Sequence, residues 1–280
     1  KYEHIQKNPK KININLKKDI EFKKKQTFNK LYKVFDKKFV CLHTRDENYR
    51  NDKEKRSFRN SQIDSYIPAI QFLIEKGYVV IRIGNHNSDK INFVDDNFLE
   101  INNKEPQNFF DVFLIKNCVF FIGTQSGPVD VSFMFDKPTL LTNSNTCYMT
   151  FPRNFKDRII FKRPILNGRT IGINDHLNLP FKYHNYLENN GDLEYYDNTP
   201  NEILESVKEF LINLETNNFK KSEKQEKFNN IIKKKIINFF YDTSEKNSFK
   251  KHYLATNFIR WIKTQEGTIC NFQINLDKNF

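Results

Sequence analysis

The sequence predicts an α/β protein built on a doubly wound, Rossmann-like parallel sheet, and three observations carry that prediction. Apolar runs such as "FVCL" (39–42) and "YVVI" (78–81) are continuous and not alternating, as strands buried on both faces are. Amphipathic stretches of helical period separate these runs. Several runs also break abruptly into polar loops, among them "HTRD" (43–46), "RIGNHN" (82–87) and "GTQSGPVD" (123–130). In open parallel sheets such carboxyl ends hold ligands.

The elements follow in order. Residues 1–38 read as a basic helical or extended lead-in. "FVCLHTR" is a strand, and "SQIDSYIPAIQFLIEKG" is a helix whose start carries a Ser61-x-x-Asp64 pair resembling a capping box and whose end is Gly77. "YVVIRIG" is the next strand and "NFLEI" a short third. "PQNFFDVFLIKN" predicts a helix, "CVFFIG" a strand, "GPVDVSFMFD" a short helix and "KPTLLTN" another strand. "NEILESVKEFLINLE" closes this unit as an amphipathic helix, which gives a domain over 39–215. Residues 216–280 form a basic extension in which "KFNNIIKKKIINFFYD" and "KHYLATNFIRWIKTQ" predict two further helices. No internal repeat is visible.

At 280 residues and 38% hydrophobic, the chain has the material for a proper core, which excludes a disordered protein. No stretch approaches the roughly 20 apolar residues of a membrane span. The net charge of +12 invites a nucleic-acid reading, but its distribution argues against one. Residues 1–38 carry +9 and residues 216–280 carry +7, while the middle of the chain is −4. The surplus lies in the flanks, which read as solvated lysine-rich segments or as a contact with an anionic membrane surface. Four widely spaced cysteines, Cys41, Cys118, Cys147 and Cys270, form no C-x-x-C pair; Cys41 and Cys118 lie in apolar runs and predict buried thiols in a reducing compartment. No signal peptide is legible. The chain opens at Lys1 without methionine, so sequence upstream of it is expected.

The chemistry concentrates at the three polar strand ends. "GTQSGPVD" has the form strand, small-residue loop, helix, and backbone N–H groups at a helix N-terminus with Thr124 and Ser126 beside them make an anion site. Gly123 and Gly127 are expected to permit close backbone approach to a ligand, and Pro128 suits a first helical turn. Arg45, leaving the preceding strand end towards solvent and ligand, is a bidentate cation for the same phosphate. Two positions stay open: Arg82 as a ligand residue or as a buried arginine paired with an acid, and His43 as a ligand residue or as a hydrogen-bonded core histidine. His4, His176, His184 and His252 read as surface or structural residues. Asp95-Asp96 reads as a solvated turn, because a metal-binding Asp-x-Asp needs alternating carboxylates. No Walker A loop, G-x-S-x-G elbow or G-x-G-x-x-G fingerprint is present.

Taken in order, "CLHTRDENY", "FRNSQIDSYIPAIQFLIEKGYVVIRIG" and "FFIGTQSGPVDVSFMFDKPTLLTN" resemble a family of bacterial surface-polysaccharide glycosyltransferases of GT-B type, over about 39–215. More distantly, "HTR" and "GTQSG" are similar to the His-x-Arg and Thr-x-Ser-Ser segments of the α1,6- and protein O-fucosyltransferases. That resemblance implies that Arg45 holds the diphosphate of a nucleotide sugar, possible donors including a GDP-sugar, with His43, Thr124, Ser126, Gly123 and Gly127 around it. It further implies Gly84 and Asn85 near the nucleoside, and Arg59 of "FRN" and Arg82 near donor or acceptor. A carboxylate soon after the His-x-Arg segment can serve as base, which makes Asp46 the first candidate, with Glu47 and Asp52 as alternatives. The UDP-GlcNAc 2-epimerases share the fold, a basic His-Arg segment and a Ser-Gly turn before a helix. They continue into paired glutamates, where this chain has only Asp130, followed by Val131 and Ser132.

The expectation is therefore a metal-independent, cytoplasmic GT-B-type glycosyltransferase, with peripheral contact at the inner face of the membrane and no cofactor beyond its nucleotide-sugar donor. Its acceptor would be a glycan or a lipid-linked precursor, and no nucleic acid is expected as a partner. The second domain usual in that architecture would lie upstream or be built from 216–280. A nucleotide-sugar epimerase or hydrolase of the same fold, and a non-catalytic binding module, are the alternatives.

Overall fold

The computed structural model describes residues 18, 23, 25–26, 36–46, 57–85, 88–103, 110–145, 152, 154–179, 192–232, 268–270 and 273. Most of the lead-in, the helix expected over 251–265, Cys147, Glu47 and Asp52 lie outside these residues.

Its centre is a seven-stranded, wholly parallel sheet in the order β10-β6-β5-β4-β1-β2-β3. The strands are β1 (Phe39–His43), β2 (Val79–Asn85), β3 (Phe98–Asn103), β4 (Phe121–Gly123), β5 (Thr139–Ser144), β6 (Arg158–Phe161) and, from the C-terminal extension, β10 (Thr268–Ile269). From β1 the chain winds outward to β2 and β3, then returns to lay β4, β5 and β6 on the other side. The winding direction thus reverses between β1 and β4, the topological switch point of a Rossmann-type sheet.

Alternation along β1 sorts its side chains into two cores. Phe39 and Cys41 join the layer made with α2 (Phe110–Asn117), α3 (Gly127–Met134), α4 (Ile173–Asn178) and α6 (223–232). Val40 and Leu42 join the layer made with α1 (Ile67–Glu75) and α5 (Pro200–Thr216). Both faces are covered, which is why the strands read as continuous apolar runs. Cys41, Cys118 and Cys270 are buried free thiols, as the sequence led us to expect for the first two.

Two local expectations are corrected. Ser61 and Asp64 do not form a capping box: the segment opens as a 3₁₀ turn over Ile63–Tyr66, and Ser61 Oγ instead donates to Tyr66 Oη while Asp64 accepts from Asn92. A reciprocal box does form at α5, where Glu202 N donates to Thr199 Oγ1 at 3.2 Å and Thr199 N donates to Glu202 Oε2 at 2.7 Å. The extension expected to be helical also supplies β10 to the sheet edge and, through Phe228 and Ile232 of α6, two fully buried core residues.

A second, three-stranded antiparallel sheet was not anticipated. It comprises β7 (Arg163–Leu166), β8 (Arg169–Thr170) and β9 (Leu193–Tyr196), in the order β8-β7-β9. Its hairpin turns at Asn167 (φ 50°) and Gly168 (φ 74°), both left-handed, as a two-residue Asn-Gly turn requires.

Candidate functional site

The switch point brings the "HTRD" and "GTQSG" segments together. β1 and β4 are in register through His43 and Gly123. Beyond their ends, Thr124 N donates to His43 O at 3.1 Å, and Arg45 N donates to Thr124 Oγ1 at 2.9 Å. The two polar loops are therefore stitched to each other for one further step before they part. By the alternation that puts Cys41 on the α3 side, His43 also faces α3, and its Nδ1 lies 3.0 Å from Ser126 Oγ at the start of that helix. Ser126 is extended (φ −155°, ψ 172°) and its hydroxyl makes no capping bond to the first turn of α3; it turns back to Thr124 O at 3.0 Å.

Arg45 does not leave the strand end towards solvent. It is 6% exposed, and its Nη1 donates to Asn60 Oδ1 at 2.7 Å. The next residue back, Arg59, donates through Nη2 to Gln125 O at 2.6 Å, so the "FRN" segment clamps both loops of the crevice. Asp46, buried, accepts from Asp89 N at 3.2 Å. The carbonyl of Asp89 accepts from Arg82 Nη1 at 2.6 Å, which ties the β1 and β2 exits together.

Arg82 is buried and paired with an acid: Nη1 meets Glu100 Oε1 at 2.6 Å, along a row in which Leu42, Arg82 and Glu100 are register partners. Gly84 and Asn85 end the adjacent strand opposite Asn102 and Asn103; a Cβ on Gly84 would meet Ser88 Oγ at 3.0 Å. The reason for Gly123 is also corrected. A Cβ there would lie 2.6 Å from Phe121 Cε1 and 3.1 Å from His43 O, so the glycine serves packing within the sheet. Gly127, in contrast, has nothing within 4 Å of its Cβ position.

Burial, and then the guanidiniums of Arg82 and Arg45, push the His43 imidazole down to about 4. The ring is thus neutral at physiological pH, between two fixed cations. His176, read as a surface or structural residue, is buried, with Nε2 3.0 Å from Tyr195 Oη.

Several residues of this end of the sheet escaped the sequence reading. Gln125 is buried and its Oε1 accepts from Asn145 N at 3.1 Å. Lys162 is 3% exposed; Nζ donates to Asn60 O at 2.5 Å and to Asp197 Oδ1 at 2.6 Å. Burial lowers its ammonium, and Asp197 opposes that shift. Asn143, left-handed at φ 49°, exchanges bonds of 2.7 and 2.6 Å with Asn198 and donates through Nδ2 to Ser61 Oγ at 2.7 Å. A signal for Lys162 existed: "RIIFK" is an apolar run breaking into charge, the same pattern that drew attention to Arg45.

Among the described residues, no three His, Cys, Asp or Glu side chains gather as a metal-ligand group, and no helix is long and apolar enough to cross a membrane. The strand order, with its switch between β1 and β4, places the chain among α/β proteins of Rossmann-like fold. Neither a protein-family model nor a curated protein matches it. Among solved structures it is similar to E. coli ADP-heptose lps heptosyltransferase II, at 15% identity and a TM-score of 0.46, over 72% of this chain and 54% of that one. It is also similar to the dodecameric iron-containing heptosyltransferase TibC in complex with ADP-D-β-D-heptose, at 22% identity and a TM-score of 0.29, over 38% of this chain and 27% of that one. The chain thus spans about half the length of the first of these proteins. At such scores the likeness assigns no function.

Proposed function

We propose that the chain is a glycosyltransferase of GT-B type, whose switch-point crevice binds a nucleotide-diphosphate sugar for transfer to a glycan or lipid-linked surface-polysaccharide acceptor. The observation that carries this reading is the position of Arg45. Its guanidinium is buried and bound by Asn60 just beyond the β1–β4 switch point, and its own backbone N–H is bonded to Thr124, three residues before α3 begins. A cation and a helix N-terminus at the same carboxyl end of the sheet suit a group that carries two adjacent negative charges. The motif order quoted from the sequence supports the same reading independently.

In this mechanism the crevice holds the donor so that the acceptor hydroxyl meets the anomeric carbon in line. As the sugar–phosphate bond breaks, charge grows on the leaving diphosphate, and Arg45 with the α3 amides stabilises it there. Asp46, adjacent in sequence and held by Asp89 N, is the candidate base for the acceptor proton. A GDP-sugar is the donor that the His-x-Arg likeness favours, and that likeness rests on sequence motifs alone.

The test is calorimetric titration and thermal shift with GDP, UDP and CMP and their sugars. A diphosphate ligand at about 100 times its Kd should stabilise the fold by about 2.7 kcal/mol. Arg45→Lys, which keeps the charge but loses the fork, should weaken that binding about tenfold or more. Binding by no nucleotide, or equal binding by parent and Arg45→Lys, rejects the reading. Release of free nucleoside diphosphate only when an acceptor is added separates a transferase from a hydrolase of the same fold.

A further inference from the structure

The hydrogen bonds around Ser126 determine where the proton on His43 lies. Ser126 Oγ has two neighbours at 3.0 Å, the carbonyl of Thr124 and Nδ1 of His43. A carbonyl oxygen only accepts, and a hydroxyl has a single proton to give. That proton therefore goes to Thr124 O, and the lone pair left on Oγ accepts from Nδ1–H. A neutral imidazole carries one proton, so Nε2 is left bare. Nε2 makes no hydrogen bond to any described residue, and His43 stands at the carboxyl end of β1 beside Arg45.

We infer that His43 is held as the Nδ1–H tautomer and that its Nε2 accepts a hydrogen bond from a hydroxyl of the ligand whose phosphates Arg45 binds. This rests on the proposed nucleotide-sugar reading and narrows it. Phosphate oxygens at neutral pH are acceptors and cannot satisfy a bare Nε2; a ribose or sugar hydroxyl can. The crevice would then discriminate between a diphosphate bearing a hydroxyl in reach of His43 and one lacking it. Sites built to hydrogen-bond a hydroxyl reject the deoxy analogue strongly, because the buried partner is left unpaired. The neutrality of the ring serves this role, since an imidazolium would present N–H at both nitrogens and repel a hydroxyl proton.

Two measurements test it on the full chain. Long-range ¹H–¹⁵N spectra of ¹⁵N-histidine protein at pH 7, with His43 assigned through His43→Asn, should show Nδ1 protonated and Nε2 bare; the reverse tautomer overturns the assignment whatever the ligand. Binding is then compared for GDP and UDP against their 2′- and 3′-deoxyribose forms, and for GDP- and UDP-sugars against forms deoxygenated on the sugar. One of these losses should weaken binding about tenfold or more in the parent and about twofold or less in His43→Phe, and the arm that does so identifies ribose or sugar as the source. If nucleotides bind and every deoxy form binds as well as its parent, the inference fails while the proposed function stands. If no nucleotide binds, the proposed function fails and the hydroxyl role falls with it.

Discussion

Asn60 joins Arg45 to Lys162: Arg45 Nη1 donates to Asn60 Oδ1 at 2.7 Å, while the same asparagine's carbonyl accepts from Lys162 at 2.5 Å. The two bonds use different parts of Asn60, so they can be separated. Asn60→Ala removes the anchor of the guanidinium and leaves the backbone bond to Lys162. Hydrogen bonds to charged groups contribute about 1.5–3 kcal/mol, which predicts a loss of about 10- to 100-fold in nucleoside diphosphate affinity. Asn60→Asp should hold Arg45 at least as firmly, yet place a negative charge against the diphosphate. Its melting temperature should be kept while nucleotide binding is lost. Parent-like binding by both variants would show that Asn60 does not position Arg45 for a ligand.

The depressed His43 predicts a pH dependence of stability with a definite sign. The unfolded chain takes up a proton near the ordinary histidine value of 6.5, whereas the folded ring resists until about 4. The unfolded state therefore binds more protons in this interval, and the contribution of His43 is complete above about pH 6.5 and withdrawn as pH falls towards 4. Its size is about 3 kcal/mol. The groups acting on the ring are Arg45 and Arg82, which stay charged throughout. Urea unfolding at pH 7 and pH 4.5 should show a smaller fall for His43→Gln than for the parent. An identical fall in both proteins removes His43 as the source.

Gly123 and Gly127, four residues apart, should respond oppositely to alanine. Gly123→Ala drives a methyl into the Phe121 ring and the His43 carbonyl, and overpacking of this kind costs about 1–3 kcal/mol. Gly127→Ala enters open space in the first turn of a helix and should be neutral or slightly stabilising. Denaturation midpoints of the two single variants decide it; equal destabilisation would mean that both glycines are backbone requirements.

Much of this architecture was legible in the sequence, for reasons that individual residues make plain. β1, β2 and β5 are long enough, and apolar enough on both faces, to be read from "FVCL", "YVVI" and "PTLL". The small antiparallel sheet was not read: β7 contains Pro164 and Arg163, and β8 is two residues long, so neither shows a period. Asn167-Gly168 was a usable hairpin signal, overlooked because no alternating strands flank it. The capping pattern fitted two places, and only the third dimension decided between them, because Ser61 is drawn into the Tyr66 and Asn143 cluster. His43, Arg45, Thr124 and Ser126 were legible from their places at strand ends, and Arg59 only through the resemblance of "FRN". Asn60, Gln125 and Lys162 matter through bonds across 15 to 102 residues of chain, which no local pattern encodes.

Catalysis should need no divalent metal. The sequence lacks an Asp-x-Asp site, and under the proposed function Arg45 with the α3 N-terminus would supply the charge that a metal would otherwise bring to a leaving diphosphate. Turnover in excess EDTA should match turnover without it. A loss beyond about tenfold, restored by Mn²⁺ or Mg²⁺, rejects this.

The lysine-rich flanks, +9 over 1–38 and +7 over 216–280, should direct the chain to anionic lipid. Sedimentation with vesicles containing phosphatidylglycerol should exceed that with neutral vesicles and collapse between low and high salt. Equal binding to both vesicle types, or none to either, leaves the flanks as solubilising surface.

The last strand of the sheet is also the last to be made. β10 pairs with β6 across more than a hundred residues, and just beyond it the amide of Gln273 reaches back to Phe161, accepting from its N at 2.8 Å and donating to its O at 2.6 Å. That side chain imitates a peptide group, extending the ladder by one rung without backbone. During synthesis, therefore, the outer edge of β6 stays open for the time it takes to translate everything from Arg163 to Gln273. Open strand edges invite pairing with other chains. A ribosome stalled before residue 268 would carry a sheet whose interior is complete and whose margin is still adhesive, so premature termination near the C-terminus should produce aggregates and not a slightly shortened protein.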